Sequence, residues 1–420
     1  MKPDRIIHVP RRFVSHEWGG TETVILETSK QQKASGYDPQ IITSMALADQ
    51  SKELIQGIPV SRFSHIYPFF GLSQKQKMAL DKKGGNLLSL PLLRGLCQVE
   101  NTRIFHAHAL KRLGGTVRTA ARIKKKPYVV SLHGGTFDVP SDELQTLIDP
   151  IKGKFEWGKP FGALLGSRQV LTEANHVICV GQNEADTARK ELPHDRISYL
   201  PNGVDFKRFS MGDKDQLRER LGIAESDFLV LSIGRIDTQK NQLCLLKAFR
   251  LIHQEHSDAK LVLVGPVTQP DCLATLQSYI EEHELSESVH FLSLENDDPL
   301  LVNAYHAADV FALASRHEPF GIVVLEAWCA GCPVVASRVG GLKTLITDEE
   351  DGLLFDLASE QPEQELAAQI SRLHANRSLA NGIGEAGKRN AQSNYDWSVI
   401  NARLEEIYQL AEEHHRTPHK

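Results

Sequence analysis

Glu318 and Glu326 stand eight residues apart in the stretch Ser315-Arg316-His317-Glu318-Pro319-Phe320-Gly321-Ile322-Val323-Val324-Leu325-Glu326-Ala327-Trp328. Pro319 fits the first turn of a helix, where its missing N–H is harmless. The helix follows an apolar strand, so its N-terminus opens beyond a strand end. Unpaired N–H groups near Gly321 and Ile322 favour an anion there, and a glycine lets a phosphate approach the backbone closely. A rise of 1.5 Å per residue sets the two carboxylates roughly 12 Å apart along the axis. One could then reach a sugar and the other a ribose. Glu326 interrupts a helix that is apolar nearly all round and is therefore read as buried. A buried carboxylate needs hydrogen-bond partners, which ribose hydroxyls can supply.

A second constellation, Ser232-Ile233-Gly234-Arg235-Ile236-Asp237-Thr238-Gln239-Lys240, also closes a strand. Gly234 relaxes the turn, and Arg235 and Lys240 can converge from opposite sides of the loop. Each cation 4 Å from a diphosphate contributes roughly 4 kcal/mol at an effective dielectric near 20. The contribution grows as a leaving diphosphate gathers charge. A third, Trp18-Gly19-Gly20-Thr21-Glu22, opens the first helix and has the form of a phosphate-cradling turn. It lacks the glycine spacing of dinucleotide binders and the Gly-Lys-Ser/Thr of nucleotide hydrolases, so a plain tight turn explains it equally.

His106 and His108 end one strand, and Leu132-His133-Gly134-Gly135 ends another. His133 is the candidate for touching a sugar, a structural role being the alternative. No third ligand and no carboxylate accompany these histidines at metal-binding spacing, so no metal is expected. Cys329-Ala330-Gly331-Cys332 has redox or half-zinc spacing but no second pair, and reads as buried small side chains. Asp297-Asp298, within Glu295–Pro299, reads as a loop whose carboxylates cap the next helix.

The elements that must carry these residues recur along the chain. Strands are expected at Ile6–Val9, Gln40–Thr43, Arg103–His106, Tyr128–Leu132, Val177–Val180 and Ile197–Leu200. A second series covers Phe228–Ile233, Lys260–Val264, Val289–Leu292, Val310–Leu313, Pro333–Ala336 and Gly352–Phe355. Helical segments such as Thr21–Ser35, Lys240–His256 and Phe320–Ala330 lie between them. Uniformly apolar strands alternating with helices indicate parallel sheets covered on both faces. Each series runs for about 200 residues, the size of one doubly wound domain. Pro201-Asn202-Gly203-Val204-Asp205 makes a turn-rich break between them. The predicted domains are 1–203, completed by a last helix within 396–420, and 204–395, facing one another across a cleft.

The 420 residues are 41% hydrophobic and 24% charged, the balance of a globular protein. Six cysteines are too few for a disulfide scaffold. No apolar run is long enough to span a bilayer, and no signal-peptide core precedes the first strand. A cytoplasmic protein is expected. The net charge of −5 conceals thirteen Lys or Arg against Asp81 and Glu100 between Leu72 and Tyr128. Lys111, Arg112, Arg118, Arg122 and Lys124–Lys126 supply more than half of these. A solvated face explains that excess; the sharper reading is peripheral contact with anionic lipid at the inner membrane face. Nothing points to nucleic acid.

Together these residues resemble the retaining glycosyltransferases of family four, which have the GT-B fold of two Rossmann-like domains. The resemblance covers nearly the whole chain. It rests on Glu318 to Glu326 with Ala330-Gly331-Cys332-Pro333-Val334-Val335, on Gly234, Arg235 and Lys240, on Pro201–Asp205, on Gly19-Gly20 and on His133. It implies an acceptor-binding first domain and a donor-binding second domain. Arg235 and Lys240 would bind the diphosphate of a nucleotide sugar, Glu326 its ribose, and Glu318 and His133 the transferred sugar. Gly19, Gly20, Gly234, Phe320, Gly321, Ile322 and Val323 would line the donor, with Leu294 near the base. UDP-sugars are the favoured donors, no other cofactor or divalent metal is implied, and the acceptor would be a glycan, a lipid-linked glycan or a small molecule in envelope synthesis. Two departures stand out: Asn241 follows the lysine where glycine is common, and Gly134 follows His133 where a polar residue is common. The rival readings are a GT-B-like phosphorylase or nucleotide-sugar epimerase, and a non-catalytic sugar-nucleotide binder.

Overall fold

The computed structural model describes residues 3–82, 84–134, 151–294 and 298–417. It divides into two units, Met1–Pro201 with Ile400–Lys420, and Asn202–Val399. The observed divisions fall two residues before the predicted 203/204 break and four after the predicted 395/396 break. Backbone pairing explains the shift: the Val204 N–H donates to the Tyr395 carbonyl at 2.8 Å, and the Trp397 ring lies against Gly203, all within the second unit.

The first unit is built on an eight-stranded sheet. Its strands are β1 (Arg5–Val9), β2 (Asp38–Ser44), β3 (Lys52–Ile55), β4 (Ile58–Phe63), β5 (Thr102–Ala107), β6 (Tyr128–Leu132), β7 (His176–Cys179) and β8 (Ile197–Tyr199). Their order is β3-β4-β2-β1-β5-β6-β7-β8, parallel except for β3. The β3–β4 hairpin was not anticipated. Its turn, Gln56-Gly57, holds both residues at positive φ, the geometry that closes a two-residue hairpin. The chain order reverses between β1 and β5, and side chains alternate across both strands. Ile7, Val9, Phe105 and Ala107 join one apolar core. His8 and His106 are register partners on the other face.

That face meets the helix Gly20–Ala34 and the last helix, Trp397–Arg416. The last helix buries Ile400, Leu404, Ile407, Tyr408 and Ala411, the spacing expected of one helical face. Arg103 of β5 fixes it with paired hydrogen bonds to Glu405 at 2.7 and 2.9 Å and to Glu412 at 2.8 and 3.4 Å.

The second unit carries β9 (Leu229–Ile233), β10 (Lys260–Val264), β11 (Val289–Leu292), β12 (Val310–Leu313), β13 (Val334–Ser337) and β14 (Leu353–Phe355). All pair in parallel in the order β11-β10-β9-β12-β13-β14. Leu229, Leu231, Ile233, Phe311 and Leu313 enter one core, and Val230, Val310 and Ala312 the other. Burial on both faces is why these strands are apolar at every position. This is the strand order of nucleotide-binding α/β domains, whose ligands sit beyond the strand ends where the order reverses. Here that point lies between β9 and β12.

Among the described residues no helix is long and apolar enough to cross a membrane.

Candidate active site

The loops leaving β9 and β12 bring Arg235, Lys240 and Glu318 together. Lys240 Nζ donates to the Glu318 carboxylate at 2.5 Å, and both side chains are largely buried. Arg235, whose side chain is 48% exposed, pairs with Asp237 at 3.2 Å and donates to Gln239 Oε1 at 3.1 Å. Gln239 in turn donates to the His317 carbonyl at 3.0 Å, and its own carbonyl accepts from the Arg316 N–H at 2.8 Å. The two loops are thus one hydrogen-bonded unit. Asp237, 4% exposed, organises it by accepting from the Lys240 N–H at 3.0 Å as well as holding Arg235. Asn241 has φ +54 and donates to the Ala314 carbonyl at 3.1 Å. Asparagine tolerates the left-handed region better than other residues with a Cβ, so it fills the role of the commoner glycine.

The helix expected at Phe320–Ala330 spans Ile322–Cys329. Gly321, with φ +101, caps it and cannot be helical, so Pro319 lies in the bend before the helix, not in its first turn. The separation of roughly 12 Å inferred from continuous helical rise therefore does not apply between Glu318 and Glu326. The 318–320 segment is held by the Gly340-Gly341 turn: a Cβ at either glycine would stand 2.3 Å from the carbonyl oxygen of Glu318 or Pro319. The Gly341 N–H donates to the Glu318 carbonyl at 2.7 Å. Ile322 and Val323 occupy the first helical positions, whose N–H groups have no acceptor within the helix.

The helix is apolar nearly all round but not buried all round. Ile322, Val323, Glu326 and Ala330 form a half-buried strip, while Val324, Leu325, Ala327, Trp328 and Cys329 are buried. Glu326 accepts a hydrogen bond from the Tyr305 hydroxyl at 2.6 Å. Burial pushes its carboxyl up to about 7, against the hydrogen bond from Tyr305 and the charge of Arg208. Phe320 is buried, and Leu294 packs half-buried against the same core. Cys329 and Cys332 are buried and free. Asp298 caps the helix Pro299–Ala307; Glu295–Asp297 lie outside the described residues.

In the first unit Gly19 caps the helix that begins at Gly20. His133 directly follows β6, and Gly134 turns the chain with φ +86, which explains a glycine where a polar residue is common; Gly135 lies outside the described residues. His133 does not stand alone. Its Nε2 is 2.9 Å from His108 Nδ1, and His108 Nε2 is 3.0 Å from His8 Nδ1. His8 Nε2 meets Gln32 Oε1 at 2.8 Å. Gln32 Nε2 donates to the Tyr408 hydroxyl, and His106 bridges Tyr408 to Ser131 with two contacts of 2.7 Å. Burial lowers His8 and His133 to about 4 and holds His106 and His108 well below the usual histidine range. The expectation that these histidines lack a third partner is corrected: nitrogens of His8, His106 and His108 lie within 4.8 Å of one another. Both ring nitrogens of each of the three already have a hydrogen-bond partner, and the rings of His106 and His108 are stacked 4.1 Å apart.

The sequence profile described as "Glycosyl transferases group 1" matches residues 213–390, and that described as "Glycosyltransferase Family 4" matches 18–208. A UDP-Gal:alpha-D-GlcNAc-diphosphoundecaprenol alpha-1,3-galactosyltransferase of Escherichia coli is 31% identical over 65% of this chain and 67% of its own length. The chain belongs to glycosyltransferase family four. A D-inositol 3-phosphate glycosyltransferase of Geodermatophilus obscurus is 28% identical to this glycosyltransferase over 94% of its chain and 85% of the relative's. The crystal structure of Anabaena HepE with UDP-glucose superposes with a TM-score of 0.70 at 21% identity, covering 96% and 99% of the two chains. The glycosyltransferase has the GT-B fold.

Asp237, Gln239, Tyr305, His8 and the Gly340-Gly341 turn escaped the sequence reading. Asp237 carried a usable signal, an acidic residue three before Lys240 in a strand-end loop. Tyr305 carried none, because its pairing with Glu326 joins two helices. The basic stretch also reads differently in space. Arg112 and Arg118 are buried and paired with Glu156 and Glu173, Arg103 with Glu405 and Glu412, and Lys82 with Glu17. The local charge count missed these partners because they come from distant segments.

Proposed function

We propose that this glycosyltransferase moves a sugar from a UDP-sugar, with retention at the anomeric carbon, to a phosphate-bearing acceptor in envelope glycan or glycolipid synthesis. The observation that carries the reading is the bonded junction of the β9 and β12 loops, where Arg235, Lys240 and Glu318 meet beside the N-terminus of the Ile322 helix. In it Arg235, Lys240 and the N–H groups of Ile322 and Val323 hold the diphosphate, with Gly234 and Gly321 giving it access. Glu326 takes the ribose, and Glu318 and His133 take the sugar. Leu294 and Phe320 lie toward the base, and Gly19 and Gly20 assist. The reaction uses no divalent metal: the cations and amides stabilise the leaving diphosphate. Its oxygen accepts the acceptor's proton on the same face. A phosphate-bearing acceptor is supported by two relatives whose names specify an inositol phosphate and a diphosphate-linked lipid.

The deciding experiment incubates the protein with a panel of UDP-sugars and phosphate-bearing acceptors. UDP release that requires acceptor is expected. Release driven by inorganic phosphate, or sugar inversion without release, would replace this reading with a phosphorylase or an epimerase.

Ribose hydroxyls donate to a carboxylate, so ionised Glu326 is the binding form. UDP affinity should rise as the pH climbs through about 7, and calorimetric titration of Glu326→Gln should show no such inflection.

Peripheral membrane contact is supported by an apolar surface on the first unit. Phe70 and Phe155 are 62% and 70% exposed with rings stacked 5.9 Å apart, Leu164 is 80% exposed, and Lys154 donates to the Gly71 carbonyl. Co-sedimentation with anionic vesicles should fall at least severalfold in Phe70→Ser with Phe155→Ser. Binding unchanged by that pair would remove the membrane from the reading.

A further inference from the structure

We propose that Gln32 is a positioning residue that fixes the His133 ring, through His8 and His108, with its proton on Nε2 and Nδ1 bare as an acceptor for a sugar hydroxyl. The inference rests on the reading that His133 contacts the transferred sugar. It follows from donor and acceptor chemistry taken one contact at a time.

An amide oxygen can only accept, so His8 Nε2, 2.8 Å from Gln32 Oε1, carries a proton. His8 is fully buried and His108 half-buried, and both are held neutral, so His8 Nδ1 is bare and accepts from His108 Nε2 across 3.0 Å. His108 Nδ1 is then bare and accepts from His133 Nε2 across 2.9 Å. The proton of His133 is thereby committed, and Nδ1 is left with a lone pair. The other end of the Gln32 amide sets the second arm. Its Nε2 donates to the Tyr408 hydroxyl at 3.2 Å, Tyr408 donates to His106 Nδ1, and His106 Nε2 donates to Ser131. Turning the amide over would reverse every proton in both arms, so the orientation of the Gln32 amide is the one setting on which the polarity of the chain depends.

Two consequences separate this from a merely structural cluster. A proton taken up at His133 Nδ1 would have to reside in a buried, stacked histidine chain, so His133 orients a hydroxyl and does not serve as a base. A donor analogue with fluorine at the contacted position, which can accept but not donate, is discriminated against.

The test labels histidine with 15N and reads tautomers by long-range proton–nitrogen correlation in the intact protein at pH 7.5. His8, His108 and His133 should each show a bare Nδ1. Gln32→Leu, and independently Tyr408→Phe, should give His133 mixed tautomers and raise the donor KM about tenfold, the worth of one hydrogen bond, with kcat and acceptor KM within twofold. Tyr408→Phe keeps the test available if Gln32→Leu does not fold. A proton on His133 Nδ1 in the parent protein overturns the proposal, as does an unaltered His133 tautomer in both variants. One equivalent of tightly bound metal on the purified protein would also overturn it, by giving these nitrogens another partner. Mixed tautomers with an unchanged donor KM would instead sink the assignment of His133 to the sugar.

Discussion

Replacing Arg235 by alanine should lower the rate of sugar transfer by roughly a hundredfold or more, the loss typical of removing a group that stabilises developing charge. The guanidinium sits at the end of β9, held by Asp237 and Gln239 rather than by the core, and is half-exposed. Its removal takes away a cation without opening a cavity. Thermal stability should move far less than the rate, because Asp237, which loses its cation, keeps the Lys240 N–H as a hydrogen-bond donor. Lysine at this position should recover only part of the rate, because a single ammonium cannot replace a planar fork aimed at phosphate oxygens. Initial rates of acceptor-dependent UDP release, set beside thermal midpoints, separate the two effects. A variant with near-normal turnover would remove Arg235 from the reaction.

The first unit should lose stability on mild acidification, and more steeply than the second. Its four chained histidines are held neutral by burial. As the pH falls below about 6.5 the unfolded chain takes up protons that the folded unit does not accept until about 4 for His8 and His133, and until well below the usual histidine range for the other two. The sign follows directly: the stabilisation is complete above the unfolded value and is lost as the pH drops toward the folded one. An imidazole depressed to about 4 represents on the order of 3 kcal/mol at that pH. Because the rings share one chain, the expected total is several kcal/mol rather than the sum. Glu22, raised by its own burial, opposes the trend by gaining a proton in the folded state. In the second unit Glu326 acts in that same opposing sense. Hydrogen exchange followed by mass spectrometry between pH 7.5 and 4.5 reads each unit separately. Exchange rising first in the strands of the second unit would contradict this account.

Much of the fold was legible because its signals are local. A strand buried on both faces is apolar at each position, and the twelve expected strands match observed ones with ends displaced by at most two residues. The β3–β4 hairpin was missed because a charged edge strand does not read as a continuous apolar run. The convergence of the loops bearing Arg235, Lys240 and Glu318 was legible for a related reason: the side chains that can meet at the end of a parallel strand are confined to the few residues that follow it. The start of the helix expected at Phe320–Ala330 was not, since the positive φ of Gly321 delays it to Ile322 and the bend before it packs on the distant Gly340-Gly341 turn.

Sequence alone determined the two doubly wound sheets, the loops that bear the charged residues, and the membership those residues imply. Only the tertiary structure decided which charges are compensated, which carboxylate shares a proton with Tyr305, and that His8 completes a chain ending at His133. Periodicity and turn propensity are carried by neighbours in sequence, whereas the state of a buried charge or proton is set by whatever distant atom lies within about 3 Å.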